Sequence, residues 1–302
     1  MDFFQGVDFV RLRSWEYDSY LVADEDGRSV QHENHCGASR NSVWAVQALF
    51  AGAPPEPYLL FRGAYGRFLG ARADATERCC GCCPLRSCLL EAAQRERDEE
   101  EVDAIMWRAI GCGIDVIAEH GASGVVLLHD RSWRYLRAYE RIMGCFRCVS
   151  VDGRLNDEKT LRWEVVPVPP SPERPELPIA IADTCWDDFF SPLEREIRFV
   201  TADDDGNFDA DEEGWDSFQF TGRSVANLRK EFQVRLGNNY TLCVRAGHHG
   251  QVTLLLIDLP RSRETLHIVL FRPNSAVDEL LISPDLDALS LTRSEDYRRM
   301  IE

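Results

Sequence analysis

Three stretches of the chain repeat one another. Residues 12–23, 60–71 and 127–138 align without a gap: each opens on a leucine (Leu12, Leu60, Leu127) and carries an aromatic residue eight positions on (Tyr20, Phe68, Tyr135). A second leucine follows at once (Leu21, Leu69, Leu136), and an alanine two further (Ala23, Ala71, Ala138). Each copy then closes on an apolar run around a tryptophan: Trp44, Trp107 and Trp163. An internal repeat restricts the possible folds more than composition does. Apolar positions that alternate between Gly, Asp and Ser turns describe short strands with one buried face. One such unit cannot bury its own aromatic rings.

Three of them around a pseudo-three-fold axis can do so, closing a barrel and removing its open sheet edges. The expected fold is therefore mainly β, beginning with a β-trefoil over residues 1–168 whose three tryptophans are core rather than a ligand cage. The second repeat is interrupted between 74 and 103 by a cluster of five cysteines and a charged run. This span reads as an insertion between two strands, with a short polar helix over 89–100; loops tolerate such length cheaply.

Residues 167–178 hold six prolines in twelve positions, which marks an extended, semi-rigid connection. A Pro-rich and acidic linker is placed at 169–192. Alternating strands follow near 196–202 and 215–221. Apolar residues at 225, 228, 232 and 236 then form a helical stripe, with Ser224 as N-cap and Gly237 as stop. Further strands are expected at 240–246, 252–256 and 265–272. Strand–strand–helix–strand–strand–strand is an α+β ubiquitin-like β-grasp, here over 193–274. Residues 275–302 read as a weakly ordered tail, with one helix near 286–291.

Several of these residues carry a resemblance. The opening Met1 to Phe4, the segment Val10 to Ser14, Tyr20 to Asp24 and Trp44 to Val46 closely resemble the plant domain-of-unknown-function family five-six-nine. Its N-terminal part is similar to the fascin-like, actin-crosslinking-like trefoil. Residues 197–206, 215–224 and 243–247 resemble that family's associated ubiquitin-like domain. The cysteine-rich insertion departs from the pattern. What the resemblance implies is fold, since the family brings no established activity and fold alone supplies none.

Charge narrows the partners. The net charge is −17, and residues 183–216 hold 13 acids against 2 bases. Such a segment repels the phosphates of nucleic acid and anionic membranes, whose binding depends on Lys and Arg. Lysine occurs only at Lys159 and Lys230. No apolar run approaches the roughly 20 residues of a membrane span, and the N-terminus has no secretory pattern. The 11 cysteines are therefore expected to stay reduced, in cytoplasm or nucleus.

Candidate chemistry is sparse. Cys80 and Cys83, with Cys145 and Cys148 in the third repeat, form two CxxC pairs that would make a tetrahedral zinc or redox site only if the insertion folds back. The acidic run from Asp203 has Phe208 and Gly214 where a calcium loop needs Gly and Glu, so it reads as a turn between strands. Lectin-type trefoils carry Gln two residues before the repeat tryptophan, where this chain has Ser42, Ile105 and Leu161. The seven histidines sit in no hydrolase or metal spacing. Arginines gather on the hairpins, with Arg13, Arg67 and Arg134 as candidate contacts to an acidic protein such as actin. The sequence reading is thus a non-enzymatic protein-interaction module without a cofactor. Its alternative is a thiol-based zinc or redox sensor.

Overall fold

The computed structural model of the protein describes residues 4–34, 39–52, 54–72, 90–112, 124–140, 147–171, 173–179 and 193–286. The first lobe contains β1 (Phe9–Ser14), β2 (Ser19–Ala23), β3 (Val30–Glu33) and β4 (Trp44–Ala51). The second contains β5 (Glu56–Arg62), β6 (Phe68–Ala71), β7 (Leu90–Arg95) and β8 (Trp107–Gly111). The third contains β9 (Val125–Asp130), β10 (Tyr135–Glu140), β11 (Arg147–Asp152) and β12 (Arg162–Val168). The first and last strands of each lobe pair in a closed ring: β1 with β4, β4 with β5, β5 with β8, β8 with β9, β9 with β12, and β12 with β1. The inner hairpins β2–β3, β6–β7 and β10–β11 cap one end and touch one another around the axis. This is the β-trefoil the repeat implies.

The three-fold relation extends to single hydrogen bonds. Trp44, Trp107 and Trp163 are fully buried, and a buried indole N–H needs an acceptor. In each lobe that acceptor is the carbonyl of the hairpin leucine: Leu21 at 3.2 Å, Leu69 at 2.9 Å and Leu136 at 3.0 Å. Two residues before each hairpin aromatic the backbone turns left-handed, at Asp18, Gly66 and Trp133.

The gapless alignment of the repeats needs one correction. Arg13 faces Tyr20, whereas Arg62 faces Phe68 and His129 faces Tyr135, so the first turn is one residue longer than the others. The counterparts of Leu12 are therefore Phe61 and Leu128, all three in the central core, and not Leu60 and Leu127. Leu60 packs in a side cluster with Tyr58 and Phe68, and Leu127 is half-buried.

The helix expected over 89–100 is a second correction. Residues 90–95 form β7, which pairs with β6 on one side and β11 on the other. Gln94 is buried and donates to the carbonyls of Asp24 and Ser29. These tertiary partners satisfy a polar segment in extended form and override its helical preference. The segment 90–103 thus belongs to the second lobe, while residues 73–89 lie outside the described residues.

The second domain is a five-stranded sheet with one helix: β13 (Glu194–Thr201), β14 (Asp216–Thr221), α1 (Val225–Leu236), β15 (Thr241–Arg245), β16 (Thr253–Leu254) and β17 (Leu266–Phe271). The strand order is β14-β13-β17-β15-β16, with β13 and β17 parallel. The Ser224 side chain accepts from the Asn227 N–H and Gly237 ends the helix at φ 76°. Val225, Leu228 and Phe232 face Ile197, Phe199 and Ile268 in the core.

The opposite face of this sheet is covered by its own chain. Cys243, Leu254, Val269 and Phe271 pack against Trp215 and Phe208 of the acidic turn, Leu177 of the proline-rich segment, and Val277 and Leu281 around α2 (Ala276–Leu280). The proline-rich stretch is therefore docked and does not act as a free spacer. Ser171 donates to the Ser283 carbonyl at 2.7 Å and Asp285 to the Pro169 carbonyl at 2.9 Å, while Arg174 grips the Asp278 carboxylate at 2.8 and 2.9 Å. Residues 276–285 are accordingly structural; most of the helix expected at 286–291 lies outside the described residues.

Candidate functional site at the domain junction

The sheet ends at β16, and an edge strand leaves carbonyls in need of donors. Arginines of the trefoil provide them. Arg62 donates to the Val252 carbonyl at 3.1 Å and the Thr253 hydroxyl at 2.9 Å, and Arg40 to the Leu256 carbonyl at 2.5 Å. The backbones also meet, Arg261 N–H donating to the Glu25 carbonyl at 2.6 Å. Gly27 has to be glycine here: it is left-handed (φ 79°), and a Cβ would stand 2.9 Å from that of Pro260.

Beside this seam lies an ion cluster. Arg67, 6% exposed, reaches Glu264 at 2.6 Å and Glu96 at 2.8 Å, and also donates to the Gly27 carbonyl. Arg28 holds the other Glu264 oxygen at 2.9 Å and Glu99 at 2.9 Å. Burial alone would raise the Glu264 pKa, but hydrogen bonds and charge from Arg67 and Arg28 outweigh it and hold the carboxyl below its ordinary value. At the far end Asp98 accepts from the backbone and ring of His249, which lowers its pKa in the same way against a raising effect of burial.

The three arginines expected to meet a partner are thus engaged within the chain. Arg13 pairs with Asp18 and, at 3.0 Å, with Glu164. Arg67 is a domain clasp. Arg134 pairs with the buried Asp130 at 2.7 Å, and Asp130 also accepts from the N–H groups of Ser132 and Arg134. Cys148 sits in β11 opposite Gln31 and Tyr139; Cys80, Cys83 and Cys145 lie outside the described residues. Cys243 is buried, which raises its thiol pKa and disfavours the thiolate a metal needs. Among the described residues no group of three or more His, Cys, Asp or Glu could hold a metal ion, and no helix is long and apolar enough to cross a membrane.

One pair resembles half of a catalytic triad. The Ser19 hydroxyl lies 2.7 Å from His32 Nδ1, while His32 Nε2 meets the Tyr139 carbonyl at 3.3 Å. Both residues are fully buried between hairpins, and burial lowers the His32 pKa. A hydroxyl sealed in this way reaches no substrate; the pair is a packing hydrogen bond.

The equivalent turns of the three lobes differ in what covers them. In the second lobe, Tyr65 is 4% exposed, and a Cβ at Gly66 would touch Thr253, Val244 and Ala246 of the other domain. In the third lobe the same turn presents Trp133, 60% exposed and left-handed at φ 60°. Its ring stacks on buried His129 with centroids 4.4 Å apart and planes 5° from parallel. A non-glycine residue held left-handed stores strain that the surrounding bonds must support.

A closed three-lobed barrel clasped edge-on to a β-grasp sheet defines a two-domain β-trefoil and ubiquitin-like protein. Two family descriptions match: the β-trefoil domain of unknown function DUF569 over residues 1–79, and the DUF569-associated ubiquitin-like domain over residues 193–271. The chain thus matches that family in both of its domains. No curated protein matches it. Among solved structures it is similar to the designed three-fold symmetric protein ThreeFoil (16% identity, 53% of this chain and 98% of that one, TM-score 0.38). It is also similar to a Caenorhabditis elegans protein of unknown function (15%, 53% and 94%, TM-score 0.37) and to the Macrolepiota procera ricin B-like lectin in complex with lactose (10%, 53% and 94%, TM-score 0.35).

Proposed function

We propose that the protein is a non-enzymatic protein-interaction module of the cytoplasm or nucleus that docks a partner through the third-lobe turn. The observation that carries this reading is internal to the molecule. The second-lobe turn already holds a folded domain, with Tyr65 buried and Gly66 against the partner sheet. Its pseudo-equivalent in the third lobe is open and displays a rigid, flat aromatic side chain, Trp133. Buried tryptophan anchors are the residues on which protein interfaces concentrate their energy. The engaged arginines favour this aromatic contact over a basic face for a polyanionic filament.

Proximity labelling with the wild-type chain and Trp133→Ala, followed by direct binding of purified candidates, tests the reading. Trp133→Ala should leave the melting temperature within a few degrees and weaken a genuine partner at least about 30-fold, the effect of losing ~2 kcal/mol at a hot spot. Equal affinity for both chains would exclude the turn as the docking site. Co-sedimentation with actin filaments at low and physiological salt addresses one named partner; no pelleting at either removes it.

A further inference from the structure

We infer that the seam between the domains binds a small molecule consisting of an apolar body and a carboxylate, the carboxylate meeting the guanidinium of Arg62. The seam forms a half-open cavity of about 230 Å³. Its walls come from both domains: Val43, Ala45 and Val46 on the trefoil side, Leu254, Leu256 and Ile282 on the other. Pockets for small molecules have this character, mostly apolar with a few polar groups that fix orientation.

Arg62 supplies the polar group. It lines the cavity and uses one nitrogen, Nη1, on Val252 and Thr253. A guanidinium carries five N–H donors. Arg28 and Arg67, which also face the second domain, each pair with Glu264. Arg62 has no carboxylate partner among the described residues. Burial pushes its pKa down, and no carboxylate among the described residues opposes that effect. A cation in an apolar wall without a counter-ion is poorly compensated by carbonyl oxygens, and a carboxylate on a planar guanidinium is its strongest complement.

The other charges define the remainder of the ligand. Arg40, the second arginine on the wall, is engaged with the Leu256 carbonyl. Asp8 stands on the exposed rim and forms no ion pair with Arg62. With Arg40 engaged and Asp8 acidic, one guanidinium set in an apolar wall suits a single carboxylate better than a polyanion such as a nucleotide. A monocarboxylate with a chain of several methylenes, its head inward, satisfies all three features.

Calorimetric titration of the full chain with octanoate, octanol and octylamine tests this. Octanoate should bind one per chain and at least about ten-fold tighter than octanol, the gain expected of a charged hydrogen bond; octylamine should not bind. Arg62→Met should reduce octanoate to the octanol level. Ala45→Phe, directly opposite Arg62 across β4 and β5, fills the cavity and should abolish binding of both. Octanol binding as tightly as octanoate, no octanoate binding at millimolar concentration, or octanoate binding unchanged in Ala45→Phe would each overturn the inference. The wild-type series decides the matter even if Arg62→Met loosens the domains. It is independent of Trp133, which the seam does not include.

Discussion

Trp107→Ala is expected to destabilise the protein by about 3–5 kcal/mol, read as a fall in the urea midpoint, because it removes a fully buried large side chain and leaves a cavity. Trp44→Ala and Trp163→Ala should cost about as much, since all three rings occupy equivalent places in one core. Trp107→Phe separates packing from polarity. It restores most of the volume but strands the Leu69 carbonyl that the indole N–H serves, a loss of about 1–3 kcal/mol for an unsatisfied buried group. Trp107→Ala costing less than about 1 kcal/mol would contradict a closed barrel built on these rings.

Arg67→Ala is expected to separate the domains as cooperative units. It removes the buried cation that Glu96 and Glu264 share and leaves them only the more exposed Arg28, 3.7 Å from Glu96 and 2.9 Å from Glu264. Breaking a fully buried pair costs about 3–5 kcal/mol; the carboxylates here are partly exposed, so about 2 kcal/mol is the expectation. One unfolding transition should become two, and protease should cut sooner within residues 169–179. The same cluster gives the docking a pH dependence of definite sign. Glu264 has a folded pKa below the ordinary glutamate value of 4.5, so its contribution is complete above that value and is lost as pH falls through the lowered one. Thermal unfolding followed from pH 7 to pH 3 should show the wild-type clasp weakening only below about pH 4.5, and Glu264→Gln should flatten that part of the curve. A wild-type profile that is already flat there would show the cluster contributes nothing to docking.

Much of this architecture is legible in the sequence because it depends on local periodicity. The Leu–Ala hairpin pairs and the tryptophans repeat at fixed offsets, and Ser224, Val225, Leu228, Phe232 and Gly237 define α1 from cap to stop. The one-residue slip at Leu60 and Leu127 escapes such reading, since apolar residues stand on both sides of each position and either register fills an apolar pattern. β7 escapes it because Gln94 and Arg95 gain their partners from segments distant in sequence, including Asp24, Ser29 and Ala71. The arginines of the junction are the clearest case. Arg62 ends β5 and Arg67 stands in the turn just before β6, positions that would face water in an isolated trefoil. Only a second domain converts them into edge caps and a clasp, and no spacing in either half announces it. The open turn at Trp133 could be found by noting that Gly66 occupies its counterpart in the second repeat.

The short ladder between residues 169–171 and 283–285, with Arg174 gripping Asp278, sets an order of assembly. During synthesis the trefoil has all its strands once Val168 has left the ribosome. The following stretch must then wait for more than a hundred residues before its partners exist. Long-range pairings of this kind form late, so the first domain matures alone and the second is cinched shut at the end. A nascent chain arrested shortly before Asp278 would therefore carry a finished barrel tethered to an unfastened neighbour.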